Sequence, residues 1–349
     1  MTNDETIRAI DADGHFLERK EDVAACLEAP WSGRTEVWPG DQPWAAEAEQ
    51  LEPPPYNYVD GLSSAEQCAI WHQVLEDHAM DGAAIFSTNG SGAVAAIQHP
   101  EFAVASARAC NTHFAEAYMD ARLKPIGVLP MRDPHAAAEE IERATGELGI
   151  VGYEVMPIGL PFGLGDPFYD PVYKKAEQLG VAICVHGTRM AAHEWGADKL
   201  RNFSEVHAYS FTAGLLMHFT SVMTQGIPAR FPDLKFAFLE IGCTWLPYYL
   251  DRLDEHYEKR GHLDMQRLDT PPSEVFRESN LFVSFEGKES MLAATVDFVG
   301  AQHLVYASDL PHWDGEFPDN LEEIRAADDL SLTVKRQILH DNAQQLFSL

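Results

Sequence analysis

The sequence has few cationic residues and no long apolar segment. Its 349 residues include 25 Lys and Arg against 55 Asp and Glu, a formal net charge of −30 at pH 7. Such a charge repels a phosphate backbone and an anionic membrane surface. No stretch approaches the roughly 18 consecutive apolar residues of a membrane span, and the N-terminal MTNDETIRAID lacks the basic and apolar regions of a signal peptide. We therefore expect a cytoplasmic protein that binds neither nucleic acid nor membrane.

Cysteine is scarce and scattered. The five cysteines are odd in number and form no C-x-x-C pair, which argues against both a disulfide framework and a Cys₄ zinc site. We expect free thiols in a reducing compartment. The five are Cys26, Cys68, Cys110, Cys184 and Cys243.

Strand and helix patterns alternate along the chain, and no two strands follow each other directly. Apolar or β-branched runs predict eight strands, at about 7–13, 83–88, 124–130, 150–156, 181–186, 235–240, 281–286 and 303–309. Helical spacing lies between them, at 64–80, 100–122, 133–148, 170–180, 244–260 and 319–347. The pattern predicts one (β/α)₈ TIM barrel over residues 1–349. A doubly wound sheet would require a glycine-rich loop after the first strand, and DADGH is not one.

Two connections are much longer than usual, residues 16–82 after the first strand and 187–234 after the fifth. Both leave the strand ends where barrel active sites lie. The first begins with an aromatic and proline-rich insertion at about 16–63, which suits a substrate lid or an arm that embraces another subunit. We expect a homo-oligomer or hetero-oligomer. The insertion contains Trp31, Trp38, Trp44, the prolines at 53–55, Tyr56 and Tyr58.

Carboxylates and imidazoles stand at the predicted C-terminal ends of the strands. Asp13 and His15 end the first strand, where a side-chain period of two places them on one face together with Asp11. His186 ends the buried fifth strand. A packed core histidine is an equally good interpretation of His186 taken alone.

Two further strands also end in a carboxylate, Glu240 after FAFL and Asp309 after VYAS. Strand ends of one barrel converge on its axis, and like charges that close together require cations. We predict a metal site made of Asp13, His15, His186, Glu240, Asp309 and Glu154, the last a charged residue within the fourth strand. Further ligands or supporting residues are His207, His218, Glu286, His312 and Glu18.

These residues carry a family resemblance. The chain resembles the amidohydrolase-related TIM-barrel proteins, which include metal-dependent hydrolases and the carboxymuconate-semialdehyde and dihydroxybenzoate decarboxylases. Asp13 and His15 match the family's H-x-H or E-x-H, His186 matches the ligand histidine of the fifth strand, and Asp309 in YASDLPHWD matches the aspartate of the eighth. The segment GIPARFPDLKFAFLEIGCTWLPYYLDRLDEH resembles the family segment around strand six. The resemblance implies a metal-dependent barrel enzyme.

The departures from the family pattern shape our functional hypothesis. Asp13 replaces a histidine, and Glu240 stands where many relatives have a catalytic histidine. Extra oxygen ligands favour iron or manganese over zinc, and four carboxylates suit two divalent ions. With Glu240 and Asp309 as catalytic residues, the site then resembles the nonheme dinuclear Fe/Fe or Mn/Fe monooxygenases of this superfamily, which hydroxylate carboxylic acids or coenzyme A thioesters and draw on an electron-donor protein.

Three other functions stay open. A hydrolase would use a metal-activated water, with Glu240 or Asp309 as general base and zinc or manganese as the metal. A nonoxidative decarboxylase would orient an aromatic acid on one metal, and a nearby acid would protonate carbon. In the family this role commonly belongs to the strand-six histidine, which is missing here. A pseudoenzyme subunit of a hetero-oligomer would keep the metal site for structure alone.

Overall fold

The strands of the protein run parallel to one another around a ring. The computed structural model describes residues 6–32, 61–287 and 289–349. Nine strands are present in these ranges, each close to a segment that the apolar runs predict. They are β1 (Ala9–Phe16), β2 (Met80–Ser87), β3 (Leu123–Pro125), β4 (Gly127–Val128), β5 (Gly152–Val155), β6 (Ala182–His186), β7 (Phe236–Leu239), β8 (Leu281–Phe285) and β9 (Leu304–Tyr306).

Hydrogen bonds join the strands into a closed barrel. The pairing runs β1-β2-β3 in one sheet and β4-β5-β6-β7-β8-β9 in the other. Ile126 lies between β3 and β4 and donates its N–H to the Ile85 carbonyl at 2.8 Å, so β3 and β4 act as one interrupted barrel strand. The N–H of Asp309, just after β9, donates to the Asp13 carbonyl at 2.9 Å and closes the ring. The prediction of an eight-stranded (β/α)₈ barrel is confirmed.

Helices separate most of the strands. The predicted helix at 319–347 is three shorter α-helices, because the chain turns after Ala326 and widens into a π-helical turn at 337–341. The fourteen α-helices of the described ranges are α1 (Lys20–Ala25), α2 (Ser64–Asp77), α3 (Gly90–Ala96), α4 (Pro100–Tyr118), α5 (Pro134–Arg143), α6 (Asp170–Leu179), α7 (Phe203–Thr224), α8 (Ile227–Arg230), α9 (Leu246–Asp264), α10 (Pro272–Glu278), α11 (Leu292–Val299), α12 (Asp319–Ala326), α13 (Leu332–Arg336) and α14 (Asn342–Phe347).

Alternating side chains divide the core into two parts. In β6, Ala182 and Cys184 belong to an inner cluster, whereas Ile183 and Val185 pack outward toward the helices. The same alternation recurs in β7, β8 and β9, as the period of two requires. Three residues of α14 join the inner cluster, so this helix closes the N-terminal end of the barrel; they are Ala343, Leu346 and Phe347. The C-terminal end of the barrel strands is not covered by α14, and we look for the functional site there.

A register irregularity in β1 corrects one expectation about the site. Asp11 pairs with Ala83 of β2, but Gly14 pairs with Ile85, so β1 has one residue more than β2 between these pairs. Such a bulge shifts the alternation of side chains. The prediction that Asp11 shares a face with Asp13 and His15 is therefore wrong.

The first long connection contains α1 and α2, and the second contains α7 and α8. Most of the aromatic and proline-rich insertion, including Trp38, Trp44, Tyr56 and Tyr58, lies outside the described residues. Within the described ranges, no helix has both the length and the apolarity to cross a membrane.

Candidate metal centre

Glu240 and Asp309 follow their strands in an unusual backbone conformation. Their φ angles are 75° and 53°, the left-handed region that residues with a Cβ rarely adopt. The N–H of Glu240 donates to Ser284 Oγ at 2.8 Å, and the N–H of Asp309 donates to the Asp13 carbonyl. Backbone strain of this kind clusters at functional sites, where the surrounding structure holds it in place. Here it turns two carboxylates into the mouth of the barrel.

Asp13, His15 and His186 form a first buried group, with one ligand atom from each lying within 4.8 Å of the others. His186 Nδ1 lies 3.0 Å from the Gly187 carbonyl oxygen and 3.0 Å from Glu240 Oε2. The Gly187 carbonyl oxygen can only accept a hydrogen bond, so Nδ1 carries the proton. The other nitrogen, Nε2, lies 3.2 Å from Asp13 Oδ1 and is the one available to a cation.

A second group, in which one ligand atom from each residue again lies within 4.8 Å of the others, consists of His15, Glu240, Asp309 and His312. His15 belongs to both groups. His15 Nε2 lies 3.3 Å from Asp309 Oδ1 and 3.6 Å from Asp13 Oδ1. His312 Nδ1 contacts Asp309 Oδ1 directly and lies 3.7 Å from Glu240 Oε1. The two groups therefore make one continuous centre, which we call the strand-end cluster: Asp13, His15, His186, Glu240, Asp309 and His312.

Several buried polar atoms of the strand-end cluster have no hydrogen-bond partner. They are Asp13 Oδ2, both ring nitrogens of His15 and Glu240 Oε2, which lies close to His186 Nδ1 but forms no hydrogen bond with it. Leaving such atoms unsatisfied costs about 1–3 kcal/mol each. Buried oxygen and nitrogen atoms that converge without partners fit the ligand set of a divalent cation, which would interact with several of them at once.

The acid–base properties of the cluster reflect its excess of carboxylates. Burial disfavours the charged form of His186, but Glu240 and Asp13 outweigh burial and raise the pKa of His186 well above its usual value. Asp309 and Glu240 likewise overcome burial at His312 and raise its pKa to about 10. Burial raises the pKa of Glu240 to about 8. The cluster thus attracts positive charge, whether protons or a metal ion.

Glu154 lies in β5 between Tyr153 and Val155, which pack outward, so its side chain points into the barrel. Neither carboxylate oxygen of Glu154 has a hydrogen-bond partner, and burial raises its pKa to about 7. The charges of His186 and Asp13 act on it. Glu154 therefore lies beside the strand-end cluster, although it belongs to neither ligand group.

A polar cavity of about 180 Å³ opens next to the strand-end cluster. Its lining includes Glu240 and Asp309 from the cluster, Glu286 just after β8, and His207 from α7. Glu286 Oε1 is buried without a hydrogen-bond partner. His207 stacks on Phe211 with a 4.2 Å centroid separation and lies 3.9 Å from Asp314 Oδ2. His207 and Glu286 thus border the cluster without joining either ligand group.

Two of the predicted supporting residues have local structural roles. His218 lies in α7, where the Leu164 N–H donates to its Nδ1 at 3.2 Å and its Nε2 lies 3.0 Å from the Pro157 carbonyl oxygen. Both nitrogens are engaged in packing, so the prediction that His218 is a ligand is not supported by its position. Glu18 accepts hydrogen bonds from the Ser87 hydroxyl at 2.7 Å and from the backbone N–H of Asn89 at 3.2 Å.

Sequence reasoning missed two residues near the site. Asp314 lines the polar cavity and follows His312 within the YASDLPHWD motif, which was the available signal. Ser308 donates both its N–H and its hydroxyl to the Asp11 carboxylate and so anchors β9 to β1. A serine in an apolar strand gives no signal of this kind in the sequence.

The closed barrel and its strand-end cluster define a TIM-barrel protein with a candidate metal centre. The chain belongs to the amidohydrolase family, whose model matches residues 10–349. It is 25% identical over 254 residues to 2-amino-3-carboxymuconate-6-semialdehyde decarboxylase of Dictyostelium discoideum, covering 72% of this chain and 68% of the relative. Identity is also 25% over 294 residues with gamma-resorcylate decarboxylase of Polaromonas sp., covering 79% and 86%.

Solved structures share the fold. The crystal structure of 5-carboxyvanillate decarboxylase from Sphingomonas paucimobilis aligns with a TM-score of 0.77 at 22% identity, covering 99% of this chain and 100% of that one. Dihydroxybenzoic acid decarboxylase from Polaromonas sp. aligns with a TM-score of 0.71 at 20% identity, covering 98% and 97%, and contains manganese and the inhibitor 2-nitroresorcinol.

These relatives correct the functional hypothesis. The interpretation of the chain as a dinuclear monooxygenase is wrong, because the two relatives compared above over most of the chain are decarboxylases. The extra carboxylates Asp13 and Glu240 suggested oxygen chemistry, but ligand type alone does not determine the reaction. The expectation of a divalent metal agrees with the cluster, whereas nothing supports iron in particular.

Proposed function

We propose that this protein is a metal-dependent decarboxylase that removes a carboxyl group from a small carboxylic acid without using oxygen. One observation carries the proposal: Asp13, His15, His186 and Asp309 lie together at the barrel mouth, where Asp13 Oδ2 and both ring nitrogens of His15 are buried without hydrogen-bond partners. The chain that carries them is related to decarboxylases over most of its length.

Asp13, His15, His186 and Asp309 would hold the metal ion. A mixed set of carboxylate oxygens and imidazole nitrogens suits manganese, the metal in the Polaromonas enzyme. When bound, the cation supplies positive charge that attracts the substrate's carboxylate and neutralises it. His186 presents Nε2 to this position because its Nδ1 is held by the Gly187 carbonyl.

Glu240 is our candidate proton donor. Its carboxyl lines the polar cavity and lies 3.7 Å from His312 Nδ1, which can pass a replacement proton to it. In the reaction, the bond between the substrate carbon and its carboxyl group breaks and CO₂ leaves. The electron pair stays on carbon, and the Glu240 proton forms the new C–H bond there. The polar cavity would hold the reacting carboxyl group before CO₂ departs.

The proposal is tested by product analysis. Manganese-loaded protein is incubated with a panel of hydroxybenzoates and unsaturated carboxylic acids in D₂O, and the products are identified by mass spectrometry. We expect at least one acid to lose CO₂ and to gain one deuterium at the vacated carbon. Products that keep their carboxyl group and gain water or hydroxyl oxygen would contradict the proposal.

A further inference from the structure

The turn after β7 begins with Glu240, our candidate proton donor, and leads into α9. Glu240 and Gly242 both have left-handed backbones, with φ angles of 75° and 64°. Glycine adopts this conformation readily, but at Glu240 the surrounding structure must hold it. On the side before the turn, Ser284 of β8 accepts the Glu240 N–H at 2.8 Å. A second anchor is needed on the side after it.

Glu289 supplies the second anchor. It lies between β8 and α11, and the N–H of Cys243 donates to its two carboxylate oxygens at 3.0 and 2.9 Å. The N–H of Thr244 donates to Oε2 of the same carboxylate at 3.0 Å. Backbone N–H groups form charge-assisted hydrogen bonds with a carboxylate, which are stronger than hydrogen bonds between neutral groups. One side chain thus connects the turn to the segment after β8.

The backbone of Gly242 lies directly against the Glu289 carboxylate. A Cβ at position 242 would lie 2.9 Å from each carboxylate oxygen, closer than side chains pack in proteins. The indole N–H of Trp245 donates to the Gly242 carbonyl at 2.7 Å. Glu289 is fixed in turn, because its N–H donates to the Gly287 carbonyl at 2.9 Å and its carbonyl accepts the Leu292 N–H at 2.9 Å. The turn and the carboxylate therefore have little freedom to move separately.

Glu289 is close to the mouth but takes no direct part in the site. Its carboxylate belongs to neither ligand group of the strand-end cluster, and it does not line the polar cavity. We propose that Glu289 is a positioning residue, which holds the turn after β7 so that the Glu240 carboxyl stays directed into the polar cavity. This inference rests on the proposed function, because that function assigns the transferred proton to Glu240.

The position of Glu240 is tested without any substrate. Crystal structures of the wild type and of Glu289→Ala are compared at the turn after β7. We expect the turn to rearrange in the variant and the Glu240 carboxyl to lie about 1 Å or more from its wild-type position, a displacement large enough to impair catalysis. An unchanged Glu240 in folded Glu289→Ala would overturn the inference.

A double-mutant cycle tests whether Glu289 acts through Glu240. In manganese-loaded protein, Glu289→Ala should lower kcat about tenfold to a hundredfold, with KM changed by less than about twofold and manganese content unchanged. In the Glu240→Gln background the same substitution should change kcat by less than about twofold, because the group that Glu289 positions is already absent. Equal losses in the two backgrounds would overturn the inference, since Glu289 would then affect the site as a whole.

Glu289→Gln keeps one oxygen that can accept a backbone N–H, so its kcat should lie between those of wild type and Glu289→Ala, and it replaces the alanine variant in the cycle if that variant does not fold. Glu177→Ala is the matched control, because Glu177 Oε1 accepts the Asp233 N–H at 3.0 Å before the other end of β7. It should keep kcat within about twofold of wild type. Absence of CO₂ release in the wild type would count against the proposed function alone, and the crystal structures would still decide the role of Glu289.

Discussion

His186 and His218 are both buried histidines, yet the contacts of their ring nitrogens give them different roles. His186 presents Nε2 to Asp13, whereas His218 uses both nitrogens to hold the backbone at Leu164 and Pro157. We predict that His186→Ala lowers manganese content and activity together and leaves the thermal unfolding of the metal-free protein nearly unchanged. Metal analysis by mass spectrometry and calorimetry measure the two quantities.

His218→Ala is the matched control for that experiment. It leaves the buried Leu164 N–H without its acceptor, which costs about 1–3 kcal/mol of stability, and it should keep the metal. If His186→Ala retained its manganese, His186 would be a packing residue and the proposed ligand set would fail.

Glu240 should affect the reaction without being required for the metal. Glu240→Gln keeps the shape of the side chain and removes the proton that the proposal assigns to carbon. General acid catalysis contributes about 10²–10⁴ in rate, so we expect kcat to fall at least about a hundredfold with manganese content unchanged. Steady-state kinetics measures kcat, and metal analysis measures manganese content. A kcat near the wild-type value in Glu240→Gln would show that Glu240 is not the proton donor.

For single residues, the sequence predicts which side chains converge at the barrel mouth, but not which hydrogen bonds and ion pairs they form. Apolar strands that end in His186, Glu240 and Asp309 indicated convergence, because parallel strands of a barrel point their ends to one mouth. The packing role of His218 depends on Leu164 and Pro157, which are distant from it in the sequence, so this role has no local signal.

Glu18 follows β1, and its carboxylate connects this strand end to the segment just before α3 by accepting hydrogen bonds from Ser87 and Asn89. Burial raises the pKa of Glu18 to about 7 from an ordinary value of 4.5, although the Ser87 hydroxyl and the N–H groups before α3 oppose the shift. An acid whose pKa is higher in the folded state destabilises the fold as pH rises. This loss of folding stability begins near pH 4.5, where Glu18 ionises in the unfolded chain, and is complete near pH 7, where it ionises in the folded protein.

We therefore predict that Glu18→Gln gains stability relative to wild type between pH 4.5 and 7, by at most a few kcal/mol. Urea unfolding at several pH values measures the difference. Glu66 caps α2, and its hydrogen bonds with Ser63 lower its pKa, so Glu66→Gln should show no such gain. A pH-independent difference for Glu18→Gln would show that Glu18 is not a buried acid of this kind.

Periodicity also has limits at the scale of elements. It predicts all eight barrel strands, because alternating apolar residues are a local property. It fails at the bulge of β1, which depends on pairing with β2. It also fails in the predicted helix at 319–347, which is interrupted after Ala326.

In the whole molecule, the residues that close the core and the residues of the strand-end cluster lie at opposite ends of the barrel. The C-terminal α14 closes one end of the barrel with Phe347 in the inner core, and the strand-end cluster occupies the other end. Barrels commonly divide the two ends in this way. The strained residues Glu240 and Asp309 lie at the mouth, away from α14.

We expect Phe347→Ala to lower the free energy of unfolding by about 3–5 kcal/mol, because it empties a buried site, while manganese content below the unfolding temperature stays at the wild-type level. Leu332→Ala, at a position that is 74% exposed on α13, should change stability by less than about 0.5 kcal/mol. Loss of metal in folded Phe347→Ala would show that the two ends are coupled.

The central claim is that the strand-end cluster supports decarboxylation through a bound divalent cation and without oxygen. The most direct measurement is CO₂ release by metal-stripped and manganese-reloaded protein, each in sealed anaerobic and air-saturated vessels, with a substrate from the panel. The account predicts that release appears only after reloading, rises with bound manganese and is equal in the two atmospheres. Release that requires oxygen, or that persists fully in the stripped protein, would contradict it.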